Sequence, residues 1–245
     1  MTRCILIASG KGGVGKSSIT AGLGRIFCSA GLKTLLIDCD AGLSSLDIML
    51  GLSEGSAFSW HDAYLERCSI YDAIIKNDEL PDLLPAPVSP LDEPADQVVK
   101  HAAELLRDDY DIILIDAPAG LGRGLLRAAA AAKQLIVVAT ADEISVKDAA
   151  ALDREIRKRS DINESRLIIN RYDVKAAKKG KLLTIDDIID KTTVQLIGVV
   201  PEDKNIMYST VTGKTGKKSK SFKALQRISE RINGKNVELE LSLLK

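Results

Sequence analysis

Apolar positions along this chain alternate between two kinds of run. Short, nearly continuous stretches of Ile, Leu, Val and Ala recur at Arg3 to Ser9, Thr34 to Ile37, Tyr110 to Ile115, Leu135 to Ala139, Arg166 to Asn170 and Val194 to Val200. Runs of this kind predict strands buried on both faces, as in a parallel sheet with helices on each side. Between them apolar residues return every three or four positions. Lys16 to Ala30 carries Ile19, Leu23, Ile26 and Phe27 and stops at Gly31, which predicts an amphipathic helix with a glycine stop. Further helices are predicted from Ala95 to about Arg107, in the alanine-rich stretch Leu121 to Lys133, from a Ser145 cap to about Arg159, after a Thr184 cap, and around Phe222, Leu225, Ile228 and Ile232. Phe58 to Lys76 predicts one or two amphipathic helices broken near Cys68 and Ser69. Gly42 to Asp47 reads as a turn into a short helix, and Lys175 to Lys181 as a lysine-rich loop. Leu83 to Pro85 predicts an edge strand, because proline cannot donate to a central ladder. The repeated strand–helix alternation implies an α/β fold: a doubly wound, mostly parallel sheet with helices on both faces. No long linker or repeat interrupts it, so residues 1–235 are expected to form one domain, with 236–245 as a tail.

Composition narrows this picture little. The 245 residues carry 34 basic and 34 acidic side chains, so no overall field selects nucleic acid or a membrane. Cys4, Cys28, Cys39 and Cys68 lack metal-ligand spacing and read as small, buried, reduced thiols. The first apolar run is cut off by Gly10 and Lys11, too early for a secretory leader. No apolar stretch is long enough to span a bilayer, and the expectation is a soluble protein.

The chemistry is concentrated directly after the first strand. Gly10, Gly15, Lys16 and Ser17 meet the pattern Gly-x-x-x-x-Gly-Lys-Ser of the phosphate-binding P-loop, whose glycines let backbone N–H groups turn inward on phosphate oxygens. The following helix adds the positive end of its dipole. Lys16 can reach the β- and γ-phosphates of a nucleotide, and the Ser17 hydroxyl can ligate Mg²⁺. Asp116 ends a hydrophobic strand, where a Walker B carboxylate holds the metal. Asp38 and Asp40 end another strand and compete for two roles, orienting the attacking water and supporting the metal shell. Lys11 points out of its own loop by position. It is either a solvated lysine or one that neutralises phosphate charge across a dimer, as an arginine finger does.

The stretch Ser9-Gly10-Lys11-Gly12-Gly13-Val14-Gly15-Lys16-Ser17 resembles the deviant Walker A motif of the MinD and ParA family of P-loop ATPases, in which the early lysine is the signature residue. Ile37 to Leu43 resembles its switch I, and Ile115 to Gly120 its Walker B with switch II. Arg171-Tyr172 and Gly198 to Asp203 resemble the base-binding end of the MinD branch. The similarity runs from about residue 3 to 210. It implies an ATP-dependent sandwich homodimer that hydrolyses ATP slowly with Mg²⁺, acts on division-site placement, and waits for a partner protein to stimulate it. Residue by residue it makes Lys11 the trans-acting lysine, Lys16 the phosphate lysine and Asp40 the water-orienting residue. Ser17, Asp38 and Asp116 become the metal shell. Gly10, Lys11, Gly12, Gly13, Val14, Gly15, Lys16, Ser17 and Ser18 would cradle phosphate, Asn170 would read the adenine edge, and Arg171, Pro201, Glu202 and Asp203 would lie beside it. The implied location is the cytoplasm, with peripheral contact at the inner face of the cell membrane.

Two departures matter. Ser45 stands where the MinD branch usually has asparagine, which bears on partner recognition. The ending Val237-Glu238-Leu239-Glu240-Leu241-Ser242-Leu243-Leu244-Lys245 alternates with period two, reading as a strand or docking tail rather than the family's basic membrane-anchoring helix. An acid-free stretch from Lys204 to Arg227 holds Lys204, Lys214, Lys217, Lys218, Lys220, Lys223 and Arg227. It reads as a solvated face or as a weak contact for anionic lipid or DNA. The alternatives are a ParA-like or flagellar-number positioning ATPase, and a metabolic ligase of the same superfamily that draws a substrate pocket from Leu80 to Pro94. A nitrogenase-iron-protein role would need a switch II cysteine, and none follows Asp116.

Overall fold

The structure, a computed structural model, describes residues 2–42, 45–52, 57–88, 95–203 and 219–239. Seven strands form one sheet in which every pair is parallel: β1 Arg3–Ala8, β2 Thr34–Asp38, β3 Asp82–Leu84, β4 Ile112–Asp116, β5 Gln134–Ala139, β6 Glu164–Tyr172 and β7 Leu196–Pro201, in the order β3-β2-β4-β1-β5-β6-β7. Side chains alternate across it. Leu6 and Ala8 enter one core and Ile5 and Ile7 the other, which is why the strands read as continuous apolar runs.

Helices α1 Lys16–Ser29, α2 Leu46–Leu50 and α9 Lys220–Ile232 cover the Ile5 face. Helices α3 Trp60–Tyr64, α4 Val98–Leu106, α5 Arg123–Ala129, α6 Glu143–Arg159 and α8 Ile185–Thr192 bury residues in the core of the other face, and α7 Val174–Lys178 packs at its margin. Close approach explains two glycines. A Cβ on Gly22 would stand 2.7 Å from Leu225, and one on Gly198 would collide with Ile228, so α9 lies tight against both α1 and β7.

Several local expectations need correction. Phe58 to Lys76 forms one five-residue helix followed by turns, because Glu66 turns left-handed just after it (φ 57°). Asp142, not Ser145, caps α6, and its carboxylate accepts the Ser145 N–H at 3.0 Å. Lys175 to Lys178 are helical because Asp173 caps α7. Of the four thiols only Cys39 is buried, the other three being partly exposed. Leu83 and Leu84 do lie in an edge strand, and Thr184 does cap α8 through a reciprocal pair with Asp187.

The tail as far as Leu239 forms no strand. Arg231 and Arg227 tie it to α9 through the Val237 and Glu238 carbonyls. The Arg227 Nη2 thereby has a backbone partner. Lys204, Lys214, Lys217 and Lys218 lie outside the described residues, as do Leu43 of the switch I segment and the tail beyond Leu239. No helix among the described residues is long and apolar enough to cross a membrane.

Candidate functional site

Strand β1 is the centre of the sheet, and the chain places β2, β3 and β4 on one side of it and β5, β6 and β7 on the other. Ligands of open α/β sheets bind outside the carboxyl ends at such a point. The loop from Ser9 to Gly15 sits there. Gly13 and Gly15 have φ of 80° and 92°, a region costly to any residue with a Cβ. Gly15 also allows no side chain, since a Cβ would collide with the Asn170 amide. The first turn of α1 has neither a side-chain cap nor an acidic residue, which leaves its N–H groups to an anion. Gly12 and Gly13 border open space, with nothing within 4 Å of where a Cβ would project. Val14 instead packs its side chain into the core.

Lys16 is 7% exposed and its ammonium lies 2.8 Å from Asp116 Oδ2. The Ser17 hydroxyl donates to the same oxygen at 2.6 Å. The other oxygen, Oδ1, accepts from Thr20 at 2.8 Å. Thr20 is fully buried one turn into α1, and no motif pointed to it. It divides the carboxylate into an anchored oxygen and one turned toward Lys16 and Ser17. The signal that would have found it is a hydroxyl on the inward face of α1 one turn after Lys16, where an apolar residue is the norm.

Asp38 stands in register with Asp116 on the next strand. Burial first, and then the charge of Asp116, push its carboxyl up to about 7, against the opposing pull of the Asp40 N–H and of Lys16. The Asp40 N–H donates to Asp38 Oδ1 at 2.9 Å. Burial also raises Asp40, with the Lys16 charge opposing. Between them the Cys39 thiol is buried and held well above its usual range by that burial and by the Asp38 and Asp116 carboxylates, so it is inert as a nucleophile.

A raised carboxyl value has a defined consequence for stability. The unfolded Asp38 loses its proton near 3.8 and the folded one near 7. The ligand-free chain therefore loses stability as pH rises through this interval and levels off above it. Asp38→Asn is expected to stabilise the ligand-free chain at pH 8 by up to about 4 kcal/mol, with the gain vanishing near pH 4. Urea unfolding at both values measures it, and an equal difference at both would contradict the assignment.

Asn170 lies near the carboxyl end of β6, two strands from β1, and is 3% exposed. Its amide donates to the Val14 carbonyl at 2.8 Å, while Oδ1 is buried without a hydrogen-bond partner. An amino group on a bound base would satisfy that oxygen. Arg171 has φ 54°, and its Nε lies 3.8 Å from where a Gly15 Cβ would be, which places it beside the loop. The Glu202 N–H goes to the Tyr172 carbonyl at 3.2 Å, and the Asp203 carboxylate accepts the Ser221 hydroxyl at 2.8 Å. Asp203 thus fastens the start of α9.

Lys11 does not face its own site. It is 46% exposed and lies 3.7 Å from Asp142, the α6 cap. Asp142 is partly buried, which would raise its carboxyl, but hydrogen bonds from Thr140 and Ser145 and the Lys11 charge bring it below the ordinary value.

The hard oxygens of Ser17, Asp116 and Asp38 suit Mg²⁺, which takes few protein ligands and completes its shell with phosphate and water. The orphaned Asn170 oxygen and the uncapped α1 suit an adenine nucleotide. Two cavities, of 480 and 510 Å³, open around the amino ends of β1 and β2, away from the Ser9 to Gly15 loop. Leu80, the first residue of the Leu80 to Pro94 stretch, lines the second of these.

Comparison with known proteins agrees with this geometry. The family model described as "CobQ/CobB/MinD/ParA nucleotide binding domain" matches residues 5–215. The septum site-determining protein MinD of Synechocystis is 35% identical over 97% of this chain and 91% of its own length. MinD in the MinC:MinD cell division protein complex of Aquifex aeolicus superposes with a TM-score of 0.90 at 30% identity, covering 97% of this chain and 98% of that one. MinD of Pyrococcus horikoshii, solved as its Mg-ADP complex, gives 0.83 at 27% identity, covering 95% and 96%.

Proposed function

Because the chain belongs to the MinD/ParA family of nucleotide-binding ATPases, we propose that it is a MinD-type ATPase, an ATP-gated dimeric switch in the placement of the bacterial division site. The observation that carries this reading is the division of labour between two lysines of one loop. Lys16 is buried against Asp116, whereas Lys11 points outward to Asp142. An enzyme acting as a monomer has no use for the second.

The resting contacts suggest how nucleotide is taken up. A phosphate entering the loop competes with Asp116 Oδ2 for the Lys16 ammonium, exchanging one charge-assisted contact for another. Asp116, released from Lys16 and still anchored by Thr20, keeps Oδ2 beside Ser17 for Mg²⁺. Mg²⁺, held by Ser17, Asp116 and Asp38, would supply charge neutralisation for the phosphates. Asp40, partly exposed at the end of β2, orients the attacking water. Asn170 Oδ1 accepts from the adenine amino group, and Lys11 of each protomer neutralises phosphate charge in the other.

On this reading hydrolysis is slow until a protein partner binds, as suits a switch that must persist. The MinC:MinD complex among the structural relatives supports a protein partner on the same fold. Membrane contact in the assembled state would be peripheral. The test is light scattering with and without ATP and Mg²⁺, alongside phosphate release. A dimer that appears with ATP and slow release are expected. A monomer in ATP, also for the hydrolysis-blocked Asp40→Ala variant, would remove the dimeric switch. Septum position in cells lacking their own MinD-type protein, with and without this chain, tests the cellular role.

A further inference from the structure

Trp60 is the one tryptophan of the chain. It opens α3, is 2% exposed, and joins the ends of two strands. Its backbone N–H donates to the Pro85 carbonyl at 3.2 Å, just past edge strand β3. Its indole N–H donates to the carbonyl of Asp38, the last residue of β2, at 2.8 Å.

β2 and β3 pair in register only as far as Ile37 and Leu84, and the indole meets the Asp38 carbonyl just past the end of that ladder. On the opposite side the Cys39 N–H reaches the Asp116 carbonyl at 2.9 Å. Backbone therefore ties this strand end toward β4, and the indole ties it toward β3. The tryptophan is itself held in place, since Ser59 before it caps α3 in a reciprocal pair with Asp62. Farther along, the Gly42 N–H donates to the Pro87 carbonyl at 3.1 Å, so the segment carrying Asp38 and Asp40 is pinned on both flanks to the chain that leaves β3.

We propose that Trp60 is a positioning residue for the switch I carboxylates: its indole N–H holds the Asp38 carbonyl and through it sets the main chain that aims Asp38 and Asp40 at the phosphate loop. Phenylalanine would fill much the same space but could not make this bond. The effect on turnover rests on the ATPase reading above, whereas the coupling between indole and loop does not. Because the tryptophan is single, its emission reports that coupling directly.

Two measurements on the full chain test it. In steady-state ATP hydrolysis, Trp60→Phe is expected to lower kcat about tenfold with KM for ATP changed less than about twofold, as befits an aiming contact rather than a binding one. In the unmutated protein, ATP with Mg²⁺ is expected to shift the tryptophan emission, and Lys16→Ala to suppress the shift. A phenylalanine variant with unchanged kcat overturns the proposal, and so does one in which KM rises as kcat falls. Emission that stays constant while a filter assay shows nucleotide bound overturns it independently. If the parent protein hydrolyses no ATP, the functional reading fails, and the emission measurement still decides the coupling.

Discussion

Lys16→Ala is expected to abolish measurable ATP turnover and to weaken nucleotide binding by about two to three orders of magnitude, the effect of losing one charged phosphate donor. It should also destabilise the ligand-free chain. Lys16 and Asp116 form an ion pair with side chains 7% and 2% exposed, and removing one member of a buried pair costs about 3–5 kcal/mol because the other is left charged in the interior. The two effects can be separated. Adding Asp116→Asn to Lys16→Ala removes the stranded charge, so stability should recover in part while turnover stays lost. Chemical denaturation and phosphate release measure the two quantities. A single variant as stable as the parent would show that Lys16 is not held by Asp116 in solution.

Lys11→Ala should behave in the opposite way toward binding. Lys11 pairs at the surface with Asp142, whereas the Lys16–Asp116 pair is buried. Nucleotide affinity of the monomer is therefore expected to stay within a few-fold of the parent, and stability within about 0.5 kcal/mol, as for surface substitutions generally. ATP-dependent dimerisation should be lost, and partner-stimulated turnover with it, by about a thousandfold or more if the lysine acts as arginine fingers do. Light scattering of Lys11→Ala and Asp40→Ala, both loaded with ATP and Mg²⁺, gives the contrast: monomer for the first, persistent dimer for the second. A Lys11→Ala chain that still dimerises with ATP would sink the trans assignment.

The sheet and the phosphate loop were legible because both are written in short-range patterns. Continuous apolar runs such as Ile112 to Ile115 follow from burial on both faces, and the loop follows from glycines whose backbone angles no other residue adopts cheaply. Asp38 and Asp116 could be placed at strand ends, but their adjacency could not, because it depends on β2 lying beside β4 rather than β1. The stretch from Phe58 to Lys76 misled because apolar spacing is a weak guide where several residues pack singly under a loop. Trp60, Ile70, Ala73 and Ile74 all enter the core without sharing one helix.

By itself, then, the sequence determined a parallel α/β sheet and a phosphate loop with two lysines, since strand burial, helix periodicity and glycine geometry act within a few residues. Only the tertiary structure decided that Thr20 anchors one oxygen of Asp116, that the Trp60 indole holds the Asp38 carbonyl, that Asn170 keeps one amide oxygen unspent, and that Lys11 turns away to Asp142. Those contacts join residues 22 to 156 positions apart. Their partners are fixed by strand order and helix placement, which no local pattern of side chains contains.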